Sequence, residues 1–176
     1  MPASIRDATP DDVPAITAIY AAEVLGHVNS YEYEPPDTVE MARRMHALLD
    51  TGYPYLVAED GGGIAGYAYA SSYRARIGYR FTVENSVYVA ADRQGRGIGA
   101  ALLERLIAEC GTRGYRQMVA VIGEPTNTAS IRLHEKHGFH HVGTFHGIAW
   151  KHGRWLDTVQ MQRGLGPGNH EPPHER

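Results

Sequence analysis

Val87-Tyr-Val-Ala-Ala-Asp-Arg-Gln-Gly-Arg-Gly-Ile-Gly-Ala100 runs without a break into Ala101-Leu-Leu-Glu-Arg-Leu-Ile107. A β-branched and aromatic run, a glycine-rich turn and an apolar stripe of Leu102, Leu103, Leu106 and Ile107 read as strand, turn and amphipathic helix. Such a turn exposes backbone N–H groups at the positive end of a helix dipole, so it suits an anion. Gly95, Gly97 and Gly99 let an oxygen-rich ligand approach the main chain, and Arg93 and Arg96 add positive charge. No Gly-Lys-Ser/Thr follows, which excludes a P-loop. Gly95-x-Gly97-x-x-Ala100 matches the dinucleotide fingerprint formally, but the acidic residue expected about 20 positions on has its nearest candidate at Glu124, too late.

Upstream, Ser4 to Arg6 reads as an edge strand, and Thr9-Pro-Asp-Asp12 as a capping box opening a helix that ends near Gly26. His27 to Asp37 reads as a loop, after which Thr38 caps a second helix ending around Leu49. Tyr55 to Glu59 and Ile64 to Tyr69 flank Asp60-Gly-Gly-Gly63 as a hairpin, and a third strand is expected over Asn85 to Ala90. Downstream come a helix over Ile98 to Arg113, a strand over Met118 to Ile122 and a helix over Thr128 to His137 with Gly138 as its left-handed cap. Val142 to Trp150 and Trp155 to Gln162 close the chain as a hairpin across His152-Gly153. Antiparallel hairpins mixed with parallel crossovers give an α+β fold, a single domain over residues 1–163, with 164–176 expected as a disordered tail.

Composition agrees with one compact domain: 176 residues, 43% hydrophobic and 21% charged. A formal charge of -3 argues against a nucleic-acid partner. The one cysteine, Cys110, allows no intrachain disulfide and fits a cytoplasmic protein, and it lacks the surroundings of a nucleophile. No apolar run suits a signal peptide or a bilayer. Ten histidines invite a metal reading, but His134-Glu-Lys-His137 is not the zincin spacing, and no metal site is expected at His134, His137, His140 or His141.

Gln94-Gly-Arg-Gly-Ile-Gly99 matches the Q/R-x-x-G-x-G/A motif of the GCN5-related N-acetyltransferases, and Asn127-Thr-Ala-Ser-Ile-Arg-Leu-His-Glu-Lys-His-Gly-Phe139 a second block of that family. The chain resembles that family over Ser4 to Arg163. Phe81 to Val89, Val119 to Gly123, Ile131 to Glu135 and Lys151 to Asp157 are further similar to its phosphinothricin acetyltransferase subfamily. The resemblance implies acetyl-CoA as co-substrate, held by Val87, Tyr88, Val89, Gln94, Gly95, Arg96, Gly97, Ile98, Gly99, Ala100 and Asn127. It implies acetylation of the α-amine of phosphinothricin, methionine sulfoximine or methionine sulfone by direct attack, and a homodimer.

An arriving amine is an ammonium, so a proton acceptor is needed near the thioester. Glu84, beside the strand, is the candidate base that the resemblance also implies. His134 follows Asn127 by seven residues, two helical turns, so both share a face; it is the second candidate, for proton transfer or substrate holding. Arg74, Arg76 and Arg80 crowd the loop before Glu84, and a guanidinium suits carboxylate, sulfonyl or phosphinate oxygens. Arg74, the stretch Ile77, Gly78 and Tyr79, and Glu84 match substrate positions of the subfamily. The sequence departs from the subfamily at Gly26-His-Val-Asn-Ser-Tyr31, which bears on side-chain preference. The rival functions are a non-catalytic acyl-CoA-binding module, which needs neither Glu84 nor His134, and acetylation of a polyamine or peptide N-terminus.

Overall fold

The computed structural model describes residues 3–174. Its strands are β1 (Ser4–Asp7), β2 (Tyr55–Glu59), β3 (Ile64–Ser72), β4 (Thr82–Val89), β5 (Gln117–Gly123), β6 (His140–Lys151) and β7 (Arg154–Gly164). Its helices are α1 (Val13–Gly26), α2 (Thr38–Asp50), α3 (Ile98–Thr112) and α4 (Thr128–Lys136). The strands form one seven-stranded sheet in the order β1-β2-β3-β4-β5-β7-β6. Every neighbouring pair is antiparallel except β4 and β5. This is the expected α+β arrangement.

Period-two alternation sends the strands' side chains to two cores. On one face Leu102, Leu103 and Leu106 of α3 are fully buried against Leu56, Ala68, Val83 and Met118. On the other, Ile16 of α1 and Met41 and Met45 of α2 cover Val57 and Tyr67. Tyr55, Tyr67, Tyr69 and Tyr88 stack across three adjacent strands on that second face, with centroid separations from 5.0 to 6.3 Å. Aromatic pairs of this kind contribute about 0.5–1.5 kcal/mol beyond burial, and here they stiffen β4.

The parallel ladder joins Thr82↔Gln117 through Asn85↔Ala120 and then stops, although β4 continues to Val89 and β5 to Gly123. The two strands part there, and the gap is the floor of a cleft.

Several boundaries differ from expectation. β4 starts at Thr82, three residues before the expected Asn85, which places Glu84 inside the strand rather than in a loop ahead of it. The cap of α2 is Asp37, whose carboxylate accepts from the Glu40 N–H at 2.8 Å, and Thr38 is the first helical residue. The Thr9–Asp12 box closes a short 3-10 turn, Pro10–Asp12, that leads into α1, with Asp12 also paired to Arg6 at 2.8 Å. Of the stretch expected as a tail, residues 164–174 are not wholly loose, and 175–176 lie outside the described residues. Leu165 is 1% exposed in the core, and Arg116 donates to the carbonyls of Glu171 and Pro172 at 3.4 and 2.7 Å. One leucine in a polar run is enough to anchor the segment, because its burial is worth about 1.5–3 kcal/mol.

Candidate active site

The cleft where β4 and β5 part has a volume of about 850 Å³. At one end the chain leaves β4, makes the 3-10 turn Ala91–Arg93 and reaches α3 through Gly95 (φ 76°) and Gly97 (φ 81°), the latter its left-handed N-cap. A Cβ placed on either glycine would meet no protein atom within 4 Å. The space over these backbone groups is therefore open to a ligand, and the first-turn N–H groups of α3 lack intrahelical partners. The residues present fit a pyrophosphate here.

Val87, Tyr88, Val89, Gln94, Gly95, Gly97, Ile98, Gly99, Ala100 and Asn127 all line the cleft. Arg96 does not; its side chain is 58% exposed, donating to the Asp92 carbonyl at 3.1 Å. Arg93 does line it, but its guanidinium is paired with Asp60 of the β2–β3 turn, which holds Asp60 below the usual carboxylate range. Of the two arginines, Arg96 is the exposed one and Arg93 is fixed.

Glu84 lines the middle of the cleft, two residues into β4. Burial pushes its carboxyl above the ordinary value of 4.5, and no opposing partner pulls it back. Asn85, next in the strand, points to the opposite face and reaches α4. Its amide donates to the Val119 carbonyl at 3.1 Å, and its oxygen lies 3.0 Å from Nε2 of His134.

His134 is 4% exposed, with Nδ1 at 2.8 Å from the Ser130 carbonyl and the ring edge-to-face with Phe139 at 4.9 Å. Both ring nitrogens thus face oxygen acceptors. A neutral imidazole carries one N–H and satisfies one of them; only the imidazolium satisfies both, and burial lowers the pKa and opposes that charge. His134 forms the wall of the cleft, as its spacing from Asn127 implied, but its nitrogens engage Asn85 and Ser130.

Arg74, Ile77, Gly78 and Tyr79 do not join this site. They lie on the β3–β4 connection, at the end of β4 opposite the glycine turn, and none lines the cleft. The Arg74 guanidinium sits over the rings of Tyr73 and Tyr79, 5.0 and 5.6 Å from their centroids. These four residues stand apart from the cleft lining: their connection precedes β4, and the glycine turn follows its other end. Instead the wall opposite Glu84 comes from the α1–α2 connection, where His27, Val28, Asn29 and Tyr31 line the cleft together with Glu23 of α1. The signal for these was the Gly26 to Tyr31 stretch, legible in sequence as a loop without a stated role for each side chain.

Among the described residues, no group of three or more His, Cys, Asp or Glu side chains is placed to hold a metal ion, and no helix is long and apolar enough to cross a membrane.

A mixed sheet that parts beside a glycine turn, with a partly buried carboxylate in the gap, defines an acyl-CoA-type transferase site. The sequence profile of the acetyltransferase (GNAT) family matches residues 14–139, and the chain belongs to that family. It is similar to the phosphinothricin N-acetyltransferase of Alcaligenes faecalis, 49% identical over 94% of this chain and 84% of that protein. It is 44% identical to the L-methionine sulfoximine/L-methionine sulfone acetyltransferase of Pseudomonas aeruginosa, over 98% of this chain and 100% of that one. In structure it resembles a GNAT superfamily phosphinothricin acetyltransferase from Sinorhizobium meliloti solved in complex with acetyl-CoA, with a TM-score of 0.96 and 48% identity over 99% of this chain and 95% of the other.

Proposed function

We propose that this chain transfers the acetyl group of acetyl-CoA to the α-amine of a small amino acid whose side chain ends in a phosphinate, sulfone or sulfoximine. The observation that carries the reading is the partly buried Glu84 carboxylate sharing one cleft with the open glycine turn. Acetyl-CoA supplies the activated acyl carbon. Every other requirement falls to the chain. The turn from Gln94 to Ala100 binds the anionic end, and the β4 segment Val87 to Val89, unpaired on its β5 side, offers main-chain groups along the cleft. Glu84 accepts a proton from the substrate ammonium, and its raised pKa brings it closer to working pH as a base. The neutral amine then attacks the acyl carbon, the C–S bond breaks, the departing thiolate takes up one proton and the new amide nitrogen loses its surplus one. His134, with Asn85, forms the wall beside this step.

Substrate class is supported by the two relatives named above rather than by Arg74, which lies outside the cleft. Thiol release should be faster with phosphinothricin, methionine sulfone or methionine sulfoximine than with lysine, polyamines, aminoglycosides or a peptide N-terminus. A panel led by polyamines or peptides, with the sulfone and phosphinate compounds inert, would overturn the substrate class and leave acetyl transfer standing.

The active form is a homodimer. This is supported by an exposed apolar set on the edge hairpin: Val142, Phe145, Ile148, Trp150 and Trp155 are each 49 to 65% exposed, and the two tryptophan rings lie 5.3 Å apart. Trp155→Glu should lower the sedimenting mass towards that of one chain; a wild-type protein that sediments as a monomer at micromolar concentration would remove the dimer. The single buried cysteine supports a cytoplasmic setting.

A further inference from the structure

The connection after α1 is held across the cleft more firmly than an ordinary surface loop. Lys151, the last residue of β6, is 1% exposed, and its ammonium donates to the carbonyls of Val24, His27 and Ser30 at 2.8, 2.9 and 2.6 Å. Three N–H donors meet three main-chain acceptors, so the buried charge is satisfied without a bonded carboxylate. Val24 belongs to the last turn of α1, where a cation also suits the negative end of the helix dipole. Burial lowers the lysine pKa, while the nearby charges of Glu23 and Glu32 oppose that shift.

Other contacts converge on the same five residues. A Cβ on Gly123 would lie 2.2 Å from the Val28 carbonyl, so β5 and the connection approach as only glycine permits. Asn29 donates to Glu23 at 2.7 Å and accepts from Asn127, the N-cap of α4, at 2.8 Å. Ser30 and Tyr20 share a hydroxyl hydrogen bond of 2.8 Å. Their result is a strap over residues 27–31 that ties α1 to α4 and lines the cleft with His27, Val28, Asn29 and Tyr31.

We infer that Lys151 is a positioning residue for amine selection: its ammonium locks the main chain of the 27–31 strap so that Asn29 and Tyr31 keep their places in the cleft wall. This rests on the acetyltransferase reading proposed above. Without the ammonium, three inward carbonyls lose their donors, and the strap must shift to reach water. Among the described residues the glycine turn makes no contact with the strap and keeps its geometry, while Asn127 is bonded to Asn29, so amine binding falls further than acetyl-CoA binding.

Lys151→Met retains the apolar stem and removes the charge. Amide hydrogen exchange should show residues 27–31 losing about tenfold or more of their protection while the first turn of α3 keeps its own. The KM for the amine should rise by about tenfold, with acetyl-CoA affinity by calorimetry falling by clearly less than that. Gly123→Ala, which pushes Val28 from the opposite side and leaves Lys151 intact, should give the same pattern, and it carries the test if the lysine variant does not fold. Unchanged strap protection in a folded variant overturns the inference, as does an unchanged amine KM, or a parallel loss of KM, kcat and acetyl-CoA affinity. If no amine is acetylated by the wild-type chain, the enzymatic reading fails, and hydrogen exchange still decides whether Lys151 holds the strap.

Discussion

Glu84→Gln lowers kcat by about 10²-fold or more while acetyl-CoA affinity stays where it was. The amide keeps the shape of the side chain and cannot accept the ammonium proton, so the loss falls on the chemical step. Burial raises the Glu84 pKa in the folded protein. A carboxyl whose folded pKa lies above its unfolded one binds more protons when folded, so stability falls as pH rises through that interval. At neutral pH the glutamine variant is therefore at least as stable as the wild type, and its advantage shrinks as pH falls through that interval and is gone below the ordinary value of 4.5. Loss of activity together with retained or increased melting temperature separates a catalytic base from a structural carboxylate. The wild-type acid limb of kcat should correspondingly lie above that ordinary value. Wild-type turnover by Glu84→Gln from about pH 6 to about pH 9 would remove the base from Glu84.

The glycine turn and the helix behind it were legible because they are local: Gln94 to Ile107 carries its own turn chemistry, cap and apolar stripe, and α3 begins at Ile98 as the sequence predicts. The same holds for His152-Gly153, where both residues take positive φ (50° and 73°) to close the last hairpin. What sequence reading placed less well depends on partners distant in the chain. The start of β4 was put at Asn85, after the polar stretch Arg74 to Thr82, yet Val83 pairs with Ser72 and Met118 and extends the strand. Arg74 was grouped with Glu84 as part of the loop before it and by subfamily position; the register that pairs Ser72 with Val83 keeps the two at one end of β4, and Glu84 lines the cleft while Arg74 lies over Tyr73 and Tyr79. Lys151 looked like an ordinary hairpin residue beside His152-Gly153. Its ammonium is met by carbonyls of α1 and of the connection after it, through separations of 127, 124 and 121 residues. Asn85 likewise gains its role only when α4, 49 residues on, delivers His134 to it.

Gly97→Val weakens acetyl-CoA binding by about tenfold or more in a protein that remains folded. Gly97 has φ 81° and caps α3, and a Cβ there would meet no protein atom within 4 Å. Two costs therefore separate. Backbone strain at positive φ is worth roughly 1–2 kcal/mol for a residue with a side chain, a fraction of the roughly 5–15 kcal/mol typical of a domain, so the variant remains folded. The isopropyl group, however, fills the space through which an anionic oxygen would approach the first N–H groups of α3. Losing one hydrogen bond to a charged group costs about 1.5–3 kcal/mol, a drop of roughly 10- to 150-fold in affinity. Gly52 provides the control: it has φ 85°, open space around its Cβ position and no place in the cleft lining. Gly52→Val should show a similar fall in melting temperature with acetyl-CoA affinity intact, so that the difference between the two variants isolates the approach of the ligand. Calorimetry giving equal acetyl-CoA affinity for folded Gly97→Val and Gly52→Val would place the pyrophosphate elsewhere than on this turn.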